Sequence, residues 1–206
     1  MKTRRTFLKH GLVWIPFAPM IARSQVELSF LATKPAAVGG GGGCTTTVGG
    51  FTDATNGEVN AFNDVSRAFI AIHWLSPGTG FTLCGFAIDA YKASSPTMTV
   101  TPYIYSNSTN TPGTLLTNGT GTAVNAADFS ASDGTLFKFT GFNCSISANT
   151  PYWLVMGASG SDAGNFLRMN VADGSWPGYN SIKYGTAADT WAGGSNAQVR
   201  NQPYSA

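Results

Sequence analysis

The chain of 206 residues carries 12 lysines and arginines against 10 aspartates and glutamates, and five of those basic residues fall within the first 24 positions. Beyond them seven basic groups face ten carboxylates, a net charge of about −3, which leaves no basic stripe to neutralise a run of phosphates and argues against nucleic acid as a partner. No apolar run of about eighteen residues remains there either, so no membrane-spanning helix is expected after the leader.

The basic residues at the front belong to TRRTFLK (3–9), which resembles a twin-arginine export motif, the signal of a bacterial route that accepts folded cargo. The apolar stretch at 11–22 has the length of a signal h-region and is too short for a bilayer of roughly 30 Å. Ala22-Arg23-Ser24 then offers small residues where a signal peptidase reads, so cleavage is expected near Ser24 and Gln25. The leader is therefore assigned to 1–24 and the destination to the periplasm, cell surface or exterior. Residues 25–50 end in VGGGGGCTTTVGG, whose glycines bury no side chain and are costly to order, and are read as a flexible tether.

From 51 to 206 Thr, Ser, Asn, Gly and aromatics abound while the helix formers Glu, Lys and Leu are scarce, a composition of strands. GEVNAFNDVSRAF (57–69) has room for one short helical turn. Strands are predicted at 67–75, 82–89, 96–106, 135–142, 152–158, 165–171 and 180–185, with a closing strand near 198–204, each bounded by Gly, Pro, Asn or Ser. In 96–106 Met98, Val100 and Ile104 alternate with threonines and define a core face. In 152–158 Tyr152, Leu154 and Met156 point one way and Trp153 and Val155 the other, so both faces are apolar and the strand is expected at the centre of its sheet. Pro151 suits the start of that strand, and Pro112-Gly113 suggests a tight turn. About eight strands without a convincing helix predict an all-β, antiparallel sandwich or jelly roll.

TPYIYSNSTNTPGTLL (101–116), SANTPYWLVMGAS (147–159) and TWAGGSNAQVRNQPYSA (190–206) resemble, in this order, segments of the bacterial surface modules called choice-of-anchor R domains. The resemblance covers 51–206 and implies an extracellular β-sandwich joined to an export or anchoring signal. It implies no particular activity.

Motifs for catalysis are lacking: no GxSxG, HExxH or P-loop pattern occurs, and no cofactor is implied. His73 shares the parity of Phe69 and Ala71 and is read as a packed residue rather than a base. Glu58, Asp53, Asp64 and Asp89 have no spacing that singles out a glycosidase pair. DATNGE (53–58) gathers oxygen ligands and makes Asp53, Asn56 and Glu58 a weak calcium candidate, although an Asx-rich turn explains the same residues better. Three cysteines allow three pairings. Core-facing parity with Phe86 and Ile88, and with Phe142 and Ile146, favours Cys84 with Cys144 and leaves Cys44 free on the tether.

The aromatic, charge-poor carboxyl half suggests a non-catalytic binding module for glycan or another cell-surface polymer. DGSWPGYN (173–180) is the expected site: Trp176 and Tyr179 flank a Pro-Gly turn, Asp173 and Asn180 supply hydrogen bonds, and Trp191 completes the surface. The alternative is a structural surface, appendage or phage-fibre-like domain in which the same rings are core or subunit contacts. Replacing Arg4 and Arg5 together by lysine is expected to leave the protein in the cytoplasm, as followed by fractionation and immunoblotting; unchanged export would refute the twin-arginine assignment.

Overall fold

A computed structural model describes residues 43–51, 57–172 and 182–206, all within the compact unit Val38–Ala206. Strands dominate, and among the described residues helical structure is confined to two single 3-10 turns, Val65–Arg67 and Ala126–Asp128. The first of these falls in the stretch expected to hold a short helical turn, and Asp64 caps it by accepting the Ser66 N–H at 2.7 Å.

The strands are β1 (Thr46–Thr47), β2 (Gly57–Ala61), β3 (Phe69–Leu75), β4 (Phe81–Ala93), β5 (Thr99–Ser108), β6 (Thr111–Thr120), β7 (Val124–Asn125), β8 (Leu136–Ile146), β9 (Pro151–Ala158), β10 (Phe166–Ala172), β11 (Ile182–Ala187), β12 (Thr190–Ser195), β13 (Gln198–Val199) and β14 (Asn201–Ser205). They form two antiparallel sheets, as the alternation predicts. One runs β1-β14-β4-β10-β13, with β2 on β10 and β8 on β4. The other runs β12-β11-β3-β9-β5-β6, with β7 on β5.

The core between the sheets takes Phe86, Ile88 and Phe139 from the first and Ile72, Trp74 and Leu154 from the second. Trp74 meets Phe86 edge-on at 5.3 Å between ring centroids, and Phe129 stacks on Phe137 at 3.8 Å. Met98, Val100 and Ile104 are buried here as expected. Strand β9 has β3 on one side and β5 on the other, with Leu154 and Met156 in this core and Trp153 and Val155 buried on the opposite face.

Three local expectations are corrected. Pro112 and Gly113 lie inside β6, opposite Asn107 and near Ser108, and the hairpin turns instead at Thr109-Asn110, where both residues have positive φ (47° and 61°). That is the backbone of a two-residue hairpin loop, which matches the twist of its strands better than the Pro-Gly turn. Residues 43–50, taken as the end of the tether, are part of the fold. Thr46 and Thr47 pair with Ser205 and Tyr204, and the Val48 N–H donates to Pro203 O at 3.0 Å.

The third correction concerns the cysteines. Cys84 is bonded to Cys44, and Cys144 is a free thiol, 1% exposed, in the core. The cause is a bulge between β4 and β8. Gly85 faces Thr140 and Leu83 faces Cys144, so Gly141, Phe142 and Asn143 together oppose the single residue Cys84. Parity reverses on both strands there. On β4 the core residues pass from Leu83 to Phe86 and Ile88; on β8 they pass from Phe137 and Phe139 to Phe142 and Cys144. Cys84 is left on the outward side, where Cys44 reaches it. Burial pushes the Cys144 thiol up to about 11, so it stays protonated and unreactive at neutral pH.

Unreduced peptide mapping is expected to recover a Cys44–Cys84 peptide, with Cys144 alkylated only after unfolding. Given the sequence separation of 40 residues, Cys84→Ser should lower stability by about 3 to 4 kcal/mol in urea unfolding under oxidising conditions. A Cys144 crosslink would overturn the pairing.

Candidate functional site

The outer face of the second sheet carries aromatic side chains where a two-layer sandwich normally meets water with polar ones. Strand register sets them in rows. His73, Trp153 and Tyr105 lie side by side across β3, β9 and β5, and Ala71, Val155 and Tyr103 form the neighbouring row. Trp153, Val155 and Ala71 are fully buried as a floor, and Phe69, Tyr103, Tyr105 and Trp191 pack on them while remaining partly exposed. This is a second apolar cluster, separate from the inter-sheet core.

Each ring has a local reason for its position. Phe69 lies over Gly157, its cross-strand partner, where a Cβ would come within 2.5 Å of the ring. Only glycine leaves that space. Trp153 donates from Nε1 to Asn107 Oδ1 at 2.8 Å, which fixes the indole and satisfies its polar atom. Tyr103 and Tyr105 meet edge-on with centroids 6.4 Å apart. Burial, helped by Tyr103 and by Asp189 nearby, holds the Tyr105 phenol above its usual pKa. It is therefore a neutral hydroxyl, available as donor and acceptor, at physiological pH.

Of the residues expected at a glycan site, Trp191 lies on this face, in β12 opposite Gly185. Its Nε1 is buried without a hydrogen-bond partner among the described residues. Asp173, Trp176, Tyr179 and Asn180 lie outside the described residues, as do Asp53 and Asn56 of the calcium candidate. The described flanks of the 173–181 segment are Ala172, opposite Gln198, and Ile182, opposite Ile72. Phe69, Tyr103 and Tyr105 were not anticipated as site residues. A signal was present: aromatic residues at the odd positions of β5, on the face away from Val100 and Ile104, where alternation alone calls for polar groups.

Of the carboxylates weighed from the sequence, Glu58, Asp64 and Asp89 are described, and each is engaged. Glu58 accepts from the Tyr91 hydroxyl and from Arg168 Nη1 at 3.2 Å. A guanidinium beside Glu58 opposes a cation there, which weakens the calcium reading. Asp64 caps its 3-10 turn. Asp89, 1% exposed, accepts from Asn170 Nδ2 at 2.8 Å and faces Arg200 Nη1 at 3.5 Å. No group of three His, Cys, Asp or Glu able to hold a metal ion occurs among the described residues.

His73, 8% exposed, meets the Trp153 ring edge-on at 5.0 Å. Burial lowers its pKa from the ordinary 6.5 to about 4. The imidazole is neutral at pH 7.

Searches of protein-family models, of curated proteins and of solved structures each find no match to the chain.

The folded state resists protonating His73, so its contribution to stability is complete above pH 6.5 and is lost as pH falls toward 4. Thermal melts across this window should show a falling Tm, and His73→Gln should flatten the dependence. An NMR titration giving His73 a pKa near 6.5 would refute the burial effect.

Proposed function

We propose that the protein is an exported, non-catalytic module that binds a polysaccharide or another cell-surface polymer along the outer face of its second sheet. The observation that carries this is the layer of partly exposed rings, Tyr103, Tyr105, Phe69 and Trp191, held on the buried apolar floor of Trp153, Val155 and Ala71. The C–H faces of sugar rings stack on such surfaces, while phenol hydroxyls and nearby amides take the sugar hydroxyls. Fixed rings also lose little side-chain freedom on binding. The segment containing Asp173, Trp176, Tyr179 and Asn180 belongs to the same proposal as an extension of the surface.

Export is supported by the leader motif and by the Cys44–Cys84 bond, since structural disulfides persist mainly in oxidising compartments. Kinship with the choice-of-anchor R domains remains part of the proposal. Two of its three motif segments fall on the β5–β6 hairpin and on β9, the strands that carry Tyr103, Tyr105 and Trp153.

Retention on insoluble polysaccharides is the test. Tyr105→Ala and Trp191→Ala should each weaken binding at least tenfold, about 1.4 kcal/mol. Their cost in stability should be near 1 kcal/mol, whereas Trp153→Ala should cost about 3 to 5 kcal/mol because it empties the floor. Retention unchanged by both surface variants would remove the outer face as the binding site. Concentration-dependent self-assembly abolished by the same variants would favour the structural alternative.

A further inference from the structure

Asn107 lies near the end of β5, two residues after Tyr105 and on the same outward side. Its amide is oriented by Trp153. An indole N–H can only donate, so the Asn107 oxygen must face it, at 2.8 Å, and Nδ2 must point the other way. Asn107 is partly exposed, and its Nδ2 is neither hydrogen-bonded nor enclosed. It is an accessible donor in a fixed orientation, with its own oxygen turned inward.

The side chains around this donor are apolar. Pro112 stands opposite Asn107 on β6, Leu115 stands opposite Tyr105, and Leu75 stands opposite Pro151 at the end of β3. Leu75 and Leu115 are 42% and 39% exposed, and with Val65 they are the exposed large hydrophobic residues among those described. Two of these three thus fall on one face, at the margin of the ring layer, and extend its apolar surface past the aromatics. None of these positions is a Lys, Arg, Asp or Glu, and the carboxylate that bears on Tyr105, Asp189, is negative.

A lone donor among apolar side chains selects what can rest on it. A hydroxyl that accepts from Nδ2 turns its own hydrogen toward leucine and proline and forfeits a bond it had in water. An ammonium brings only donors to a donor, and a carboxylate meets the repulsion of Asp189. An amide carbonyl carrying a methyl group fits on every count. Its oxygen accepts from Nδ2, its methyl lies against Leu115, and its N–H finds an acceptor in the neutral Tyr105 hydroxyl.

We infer that Asn107, with Leu115 and Tyr105, recognises the acetamido group of an N-acetylated amino sugar, so that the polymer taken by the outer face is built of N-acetylhexosamine units. The inference rests on the reading of that face as a polysaccharide site and adds the class of sugar.

Calorimetric titration at pH 7 tests it with three soluble oligosaccharides of equal length and linkage, in both the gluco and the galacto series: the N-acetylhexosamine oligomer, the same oligomer with its amines free, and the plain hexose oligomer. In one series at least, the N-acetylated oligomer should bind saturably and at least tenfold tighter than the other two. Asn107→Asp keeps an acceptor for Trp153 and removes the donor. It should weaken the N-acetylated oligomer at least tenfold and shift preference toward the free amine, with Tm little changed. Leu115→Ser should weaken the N-acetylated oligomer alone. Equal binding of hexose and N-acetylated oligomers, both lost in Tyr105→Ala, would overturn the acetamido assignment and leave the outer face a polysaccharide site. A preference unchanged in Asn107→Asp, or no binding of any oligomer, would overturn it as well, and retention on insoluble polysaccharides then decides separately whether the face binds polymer at all.

Discussion

Burial of β9 on both of its faces is the constraint around which the molecule is organised. A strand reading Tyr-Trp-Leu-Val-Met cannot turn either side to water, so it must lie inside its sheet and beneath two layers. One layer is the other sheet. The second is built from the outer face of its own sheet, by Tyr103 and Tyr105 of β5, Phe69 of β3 and Trp191 of β12. The aromatic surface is thus a structural cover before it is anything else, and its rings are half exposed because nothing lies above them among the described residues.

The end of the sandwich follows a related logic. Strand β3 runs from the apolar rows of Phe69 and Ala71 to Leu75, where it outreaches the described part of β11, whose pairing begins at Ile182 opposite Ile72. His73 and Trp74 lie in this overhang. The amino-terminal segment closes over the neighbouring strand ends through Gly50 and Phe51, so residues distant in sequence converge at one rim.

Much of this was written into period-2 alternation. The inward face of β5 and the two apolar faces of β9 follow from side-chain parity alone, whereas β2, β6 and β12 were not foreseen and β4 and β8 run on past their expected ends. Parity fails where the count of residues changes between partners. The bulge opposite Cys84 inserts extra residues on β8, and nothing local in TLCGFAID announces that its partner strand holds them. The cysteine pairing was therefore misassigned by the same rule that placed Ile104 correctly. The role of Cys44 was hidden for another reason: glycine-rich chain looks like tether, and only long-range pairing with β14 fixes its last residues. The outer aromatics were visible one by one, but their union depends on register across β5, β9, β3, β11 and β12, which sequence order does not display.

The disulfide lies on the outward side of its sheet, between two half-buried cysteines brought together by β1, β14 and β4, while the core holds the free thiol of Cys144. A bond in that position is reachable from solvent after the sandwich has closed. Once the chain is compact Cys84 has one cysteine within reach, because Cys144 is buried in the core, beside Leu83 across the strand pair. In the folded chain shape thus selects the crosslink: burial of Cys144 leaves Cys44 and Cys84 as the accessible pair out of the three pairings that three cysteines would otherwise permit.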